Sequence, residues 1–159
     1  TRPEEMYRAL IEGTAYGARV IIDRLEEYGV HIEEVVNCGG IAEKNPMLMQ
    51  IYADVTNRTM KISRSAQTPA LGAAMFGAVA AGSENGGHAT ATAAQAAMGG
   101  LKDQQFFPIP ANVKKYQKLY EMYKELHDTF GTKDYCVNLY HIMKDLLDLR
   151  DVVREGKEA

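Results

Sequence analysis

Apolar residues return every three or four positions between Pro3 and Tyr28: Met6, Leu10, Ala18, Ile21 or Ile22, and Leu25, with Thr14 on the same stripe. That period predicts a long amphipathic helix. Thr1-x-x-Glu4 has the spacing of a capping box, Pro3 suits a first helical turn, and Gly29 is a free stop. Gly13, Ala15, Gly17 and Ala18 leave the middle turns bare enough for a close neighbour. The pattern then changes. Ile32 and Val35-Val36-Asn37-Cys38 make a short β-branched run halted by Gly39-Gly40, which predicts a buried strand. Asn45-Pro46 opens a helix striped by Leu48, Ile51 or Tyr52, and Val55. Thr59-Met60-Lys61-Ile62 alternates as a second strand. Thr68-Pro69 caps a helix that runs to Ala81 and stops at Gly82. Strand, helix, strand, helix in that order predicts parallel strands joined by a right-handed crossover.

The second half is patterned differently. From Ser65 to Leu101 Glu84 is the one residue among Asp, Glu, Lys and Arg, and alanine and glycine dominate. Ala73, Gly77 and Ala80 or Ala81 form a small-residue face on the helix before Gly82. Residues 83–87 read as a loop, and Ala89 to Met98 as a short helix closed by Gly99-Gly100. Phe106-Phe107-Pro108-Ile109-Pro110 reads as an extended apolar connector. Asn112 caps a helix carrying Val113, Tyr116, Leu119 or Tyr120, Tyr123, Leu126 and Phe130, and a last helix spans Tyr135 to Val153. The helices sum to roughly 60% of the chain, against about a third in ordinary domains, while strands supply two short elements. Two parallel strands leave both edges unpaired, whereas sheets usually hold about four to six. The expected fold is therefore α/β, predominantly helical, with a small parallel sheet that is incomplete. Its other strands are expected upstream of Thr1, where the lack of an initiator Met also points. The expected division is 1–82 as a β/α core and 83–159 as a helical C-terminal extension.

Composition narrows the function classes. The 159 residues carry 18 Lys plus Arg against 21 Asp plus Glu, a net charge of −3. That is no footprint for nucleic acid or an anionic membrane. No apolar run approaches a membrane span, and Thr1-Arg2-Pro3-Glu4-Glu5 is no signal segment, so a cytoplasmic protein with reduced Cys38 and Cys136 is expected.

Chemistry concentrates at Gly39-Gly40-Ile41-Ala42 followed by Asn45-Pro46. A glycine pair at the carboxyl end of a parallel strand, before a helix N-terminus, is where α/β folds bind ligands. The glycines let a flat base, ribose or phosphate approach the backbone, and the helix start at Asn45 offers free N–H groups. The competing reading is a tight turn with no ligand. No phosphate loop of the G-x-x-x-x-G-K-[ST] type and no G-x-G-x-x-G occurs. His31, His88, His127 and His141 lack ligand spacing, so no metal site is expected of them. Asp145, Asp148 and Asp151 read as the wet face of the last helix, interleaved with the cations Lys144 and Arg150. Asp54 sits near a helix C-terminus, where the dipole disfavours a carboxylate. Arg58 is its expected compensator, and Gln50, one turn earlier, is expected to join the same network. Cys38 is expected to be packed rather than nucleophilic.

The run from Asn37 to Gly82 resembles the C-terminal part of the FGGY family of carbohydrate kinases. Gly39-Gly40-Ile41-Ala42, Asn45, Gln50, Ala53-Asp54-Val55-Thr56 and Ala70-Leu71-Gly72-Ala73-Ala74 follow that family's pattern in order. Residues 7–15, the four residues between Gly40 and Asn45, and Leu119-Tyr120 with Leu126–Gly131 resemble the branch that phosphorylates L-ribulose. The resemblance covers nearly the whole chain. It implies an incomplete RNase-H-like domain of the actin- and hexokinase-like ATPases, paired with another domain across a cleft. It implies ATP and Mg²⁺ as cofactors, with Gly39, Gly40 and Ile41 against the nucleotide and Asn45 near the adenine. Gly72 and Ala73 would support the pocket from the next helix, and Gln50 and Asp54 from the helix between. The catalytic aspartate, sugar contacts and phosphate loop have no match and would lie upstream, so the chain alone is expected to be inactive. Its expected partners are the upstream part of the same polypeptide, nucleotide, a sugar held mainly by missing regions and, through exposed apolar surface, a second copy. The alternatives are a xylulose or glycerol kinase of the same family, or a non-catalytic assembly module whose aromatic helix, Tyr116 to Phe130, meets a partner.

Overall fold

A computed structural model describes residues 2–156. In chain order the elements are α1 (Pro3–Glu27), β1 (Glu34–Asn37), α2 (Gly40–Lys44), α3 (Pro46–Thr56), β2 (Thr59–Ser63), α4 (Thr68–Ala81), α5 (Ala91–Met98), β3 (Leu101–Phe106), α6 (Pro110–Gly131) and α7 (Ile142–Arg154). Single 3₁₀ turns occupy Ser83–Asn85 and Leu139–His141. They group into two compact units. One holds Ile32–Ala53 and Arg58–Phe107; the other holds α1, Asp54–Asn57 and the chain from Pro108 onwards.

In the first unit β1 and β2 pair in parallel, with Val35 opposite Met60 and Asn37 opposite Ile62. This is the arrangement expected of a strand–helix–strand segment. The sheet is nevertheless mixed, because β3 pairs antiparallel with β2, Met60 opposite Phe106. Its sequence, Leu-Lys-Asp-Gln-Gln-Phe, has no apolar alternation; backbone pairing to the open edge of β2 makes it a strand. One face of the sheet is covered by Met49 and Ala53 of α3 and Ala42 of α2, packed on Met60, Ile62 and Phe106, with Val35, Leu48 and Tyr52 at the margin. Met49 and Met60 are each 1% exposed, and burying such a side chain stabilises by about 1.5–3 kcal/mol.

β1 is an edge strand rather than a buried one. Val35 turns to the core, whereas Val36 and Cys38 are exposed, so Cys38 is not packed. In α4 the helix takes in Thr68, and Gln67, not Thr68, precedes its first turn. Thr90 caps α5, its Oγ1 accepting the Ala93 N–H at 3.1 Å.

The second unit is built on tyrosines. Met6, Leu10, Ile21 and Leu25, expected in the core, are exposed; the packed face of α1 carries Ile11, Ala15 and Tyr16. The ring of Tyr16 lies 5.3 Å from that of Tyr123 and 6.3 Å from that of Tyr116 on α6. The small residues of α1 admit this cluster: a Cβ on Gly17 would stand 3.8 Å from the Tyr123 hydroxyl. Polar tips at the margin complete it. Tyr116 donates to Glu12 at 2.8 Å and accepts from Arg8 at 2.9 Å, while Tyr120 donates to Asp23 at 2.7 Å. The Arg19 guanidinium lies 4.0 Å from the centre of the Tyr120 ring and donates to the Val55 carbonyl at 3.0 Å. Tyr16 thus outcompetes plain aliphatics through its ring contacts, while the hydroxyls of Tyr116 and Tyr120 find polar partners at the margin. Burial pushes the phenol of Tyr116 up to about 12, and those of Tyr16 and Tyr120 above the ordinary range as well.

Two helix starts are corrected. Thr1 lies outside the described residues; at Arg2 the backbone N–H is accepted by Glu5 at 2.8 Å. α6 begins at Pro110, two residues before Asn112, and α7 begins at Ile142 rather than Tyr135.

Candidate functional site

β1 delivers the chain into the glycine pair. Gly39 has φ +89° and ψ 169°, a region that essentially only glycine occupies. Gly40 has no such backbone demand and begins α2. A Cβ built on either residue meets nothing within 4 Å, so the turn faces open space. Ile41, the next residue, is 69% exposed. Sequence reasoning placed one helix start after the glycines, at Asn45. The structure puts α2 between them, and Asn45 closes α2 before its Oδ1 accepts the Leu48 N–H at 3.0 Å to cap α3. One of the N–H groups expected to be free at that start is therefore taken by the cap itself. Behind the turn the Lys102 ammonium pairs with Glu43 of α2 and holds its carboxyl below the usual carboxylate range.

A cavity of about 820 Å³ opens beside the carboxyl ends of β1 and β2, lined by Val36, Ser63, Thr68, Gly72, Phe76 and Gln95 among others. Its position obeys the rule that ligands gather at the carboxyl ends of parallel strands. Thr68 Oγ1 is buried without a hydrogen-bond partner. Of the sequence-derived residues Gly72 lines this cavity; Ala73, on the same helix, is exposed and does not. Gly39, Gly40, Ile41 and Asn45 form the separate open turn. Val36, Ser63 and Thr68 were not singled out from sequence, although strand-end position alone marks the first two.

Gln50 and Asp54 face elsewhere. Gln50 Nε2 donates to the Phe107 carbonyl at 2.9 Å, tying α3 to the end of β3. Asp54 is 2% exposed and accepts the Ile109 N–H and the Asn112 amide, each at 2.8 Å. The carboxylate at the C-terminal end of α3 is thus offset by the N-terminus of α6, whose dipole favours an anion. Arg58, the compensator expected from sequence, directs its Nε to the Ile32 carbonyl at 2.8 Å. Both Gln50 and Asp54 hold the connector after β3.

Elsewhere the chemistry is dispersed. Asp145 and Asp148 line a cleft of about 470 Å³ with His141 and Glu125, and Asp151 pairs with Arg150 at 2.7 Å. Among the described residues no three His, Cys, Asp or Glu side chains gather as a metal site, and no helix is long and apolar enough to cross a membrane. Tyr116, Tyr120 and Tyr123 of α6 pack inside their own unit, whereas Phe130 at the end of the same helix is exposed.

Comparison with known proteins places these features. Residues 1–81 match the C-terminal domain of the FGGY family of carbohydrate kinases. The chain is 51% identical over its 159 residues to the ribulokinase of Geobacillus thermodenitrificans, covering 27% of that protein. It is 53% identical over 152 residues to that of Bacillus licheniformis, covering 26%. Among solved structures, the ligand-bound xylulose kinase of Lactobacillus acidophilus superposes with a TM-score of 0.67 at 26% identity, over 82% of this chain and 25% of that one. A gluconate kinase from the same organism gives 0.60. The chain spans about a quarter of the length of the curated relatives it matches. With its parallel β1–β2 pair, open glycine turn and flanking helices, it belongs to the FGGY family of carbohydrate kinases.

Proposed function

We propose that this chain is the ATP-side part of a cytoplasmic carbohydrate kinase that transfers the γ-phosphate of ATP to a pentulose. L-Ribulose, giving L-ribulose 5-phosphate in arabinose catabolism, is the substrate that the ribulokinase relatives favour. The observation that carries the reading is the Gly39–Gly40 turn, set at the end of a parallel strand and open to its surroundings. Backbone without side chains admits the face of a purine nucleoside, with Ile41 as apolar contact and Asn45 as polar partner for the base. Gly72 borders the neighbouring cavity from α4, with Ala73 next to it on the exposed side of that helix, and Gln50 and Asp54 keep α3 in place from behind.

Phosphoryl transfer also needs a carboxylate to take the hydroxyl proton and charge neutralisation on the phosphates. Mg²⁺ supplies the latter in such kinases, but the described residues offer it no ligand set, and we assign it no step. The base and the sugar contacts come from the remaining polypeptide. The chain's own contribution is to bind and orient the nucleoside.

Calorimetric titration with ATP and ADP tests this. The full polypeptide and, more weakly, the chain bind nucleotide, and Gly40→Val abolishes binding by filling the space at the turn. Its melting temperature stays near the parent's, because a Cβ there has no neighbouring atom within 4 Å and Gly40 has no positive φ. Unchanged affinity in Gly40→Val removes the turn from the site. ADP production from ribulose and ATP by the chain alone would falsify the division of labour.

A further inference from the structure

Asparagine followed by glycine occurs once in the chain, at Asn85-Gly86. Of the six asparagines, Asn45 precedes a proline, whose nitrogen carries no hydrogen. Asn37, Asn57, Asn112 and Asn138 precede Cys, Arg, Val and Leu, whose side chains crowd the approach to their own amide nitrogen. Gly86 has no such obstacle. Asn85 is exposed and ends the 3₁₀ turn, and Gly86 follows in the left-handed region at φ +80° and ψ 10°. The Gly86 N–H is held by a long bond of 3.3 Å to the Ser83 carbonyl.

The same side chain closes a helix. Asn85 Nδ2 donates at 2.8 Å to the carbonyl of Ala81, the last residue of α4. The chain then returns over that helix end: the Gly87 N–H donates to the Gly82 carbonyl at 2.9 Å and the His88 N–H to the Ala78 carbonyl at 3.0 Å. A Cβ on Gly87 would stand 2.0 Å from the Ala78 oxygen, so the return is tightly packed. A helix leaves its final carbonyls without intrahelical donors, and the Asn85 amide serves one of them. An aspartate there has no hydrogen to offer. It sets acceptor against acceptor and adds a negative charge at the negative end of the α4 dipole.

We propose that Asn85 is a site of spontaneous deamidation and that its conversion uncaps α4. The Gly86 nitrogen gives up its proton and bonds to Asn85 Cγ, while the Cγ–Nδ2 bond breaks and Nδ2 leaves with that proton as ammonia. One water then opens the succinimide, at one carbonyl to give aspartate and at the other to give isoaspartate, which lengthens the backbone by a methylene. Nothing is oxidised or reduced. The bond to Ala81 restrains the amide, so conversion accumulates with age rather than with turnover. Val79, in the turn that is released, lines the cavity at the strand ends together with Phe76 and Gly72 of the same helix. The glycine turn takes no part.

The full polypeptide, aged in mildly alkaline buffer, is followed by peptide mass spectrometry, with an isoaspartyl methyltransferase to count isoaspartate. Asn85 is expected to convert first among the six asparagines, and Asn85→Gln to lack the signal there. In hydrogen–deuterium exchange, Asn85→Asp is expected to raise opening of residues 78–81 about three- to tenfold, the equivalent of one lost hydrogen bond, while α3 stays level. Conversion at Asn85 no faster than at Asn57 overturns the proposal. So does an end of α4 that exchanges at the parent's rate in Asn85→Asp.

Discussion

Replacing Asp54 by alanine isolates the link between α3 and the start of α6. The carboxylate is 2% exposed and accepts two hydrogen bonds of 2.8 Å, from the Ile109 N–H and the Asn112 amide. Removing it strands two donors, each costing about 1–3 kcal/mol when it must stay dry. The anion at the N-terminus of α6 adds about 0.3–1 kcal/mol. The donors belong to a connector that water partly reaches, so the lower half of the range applies to each and the total is about 2–5 kcal/mol. For a chain of this size that is a fall in melting temperature of about 4–20 °C. Asn112→Ala removes one donor and leaves the Ile109 bond, so it should cost about 1–2 kcal/mol. The double variant should lose less than the sum of the two, because both sever one contact. Urea unfolding followed by far-ultraviolet circular dichroism measures all three. A loss below about 1 kcal/mol in Asp54→Ala, or strictly additive losses, would refute the anchoring account.

Gly39→Ala should destabilise by about 1–3 kcal/mol through its backbone angles, whereas Gly40→Ala stays within about 0.5 kcal/mol; equal losses in thermal melts would contradict the contrast. The Tyr16 hydroxyl is buried with no hydrogen-bond partner. Tyr16→Phe is therefore expected to be neutral or stabilising, and a loss above about 1 kcal/mol in denaturant titration would expose a missed bond. The Tyr116 phenol is raised from 10 to about 12, first by burial and then by the charge of Glu12. The folded chain keeps that proton where the unfolded chain gives it up, so stability is intact below pH 10 and falls as pH climbs towards about 12. Alkaline unfolding followed by phenolate absorbance should be shallower in Tyr116→Phe; an identical slope would count against the burial account.

Elements with local signals were legible. Asn45-Pro46 marks a capped helix because both residues act within one turn, and the glycine pair after β1 was read at its true place. β3 escaped because nothing in Leu-Lys-Asp-Gln-Gln-Phe distinguishes it from a loop; its pairing partner lies some forty positions away, on β2. Which face of α1 is packed was equally hidden. Spacing ranks Leu10 and Ile21 above Tyr16, but the choice is made by the tyrosines of α6, about a hundred residues downstream. At the site, the turn was readable and the roles of Gln50 and Asp54 were not, since their partners at Phe107, Ile109 and Asn112 are long-range.

The two margins of the three-stranded sheet are chemically opposite. β3 presents Lys102, Asp103, Gln104 and Gln105 along its length, and such a fringe discourages another backbone from docking. β1 offers two adjacent valines between Glu34 and Asn37. Growth of the sheet is therefore one-directional: an added strand is welcomed beside Val36 and repelled beside Asp103. A single lysine at position 36 would make both borders equally inhospitable.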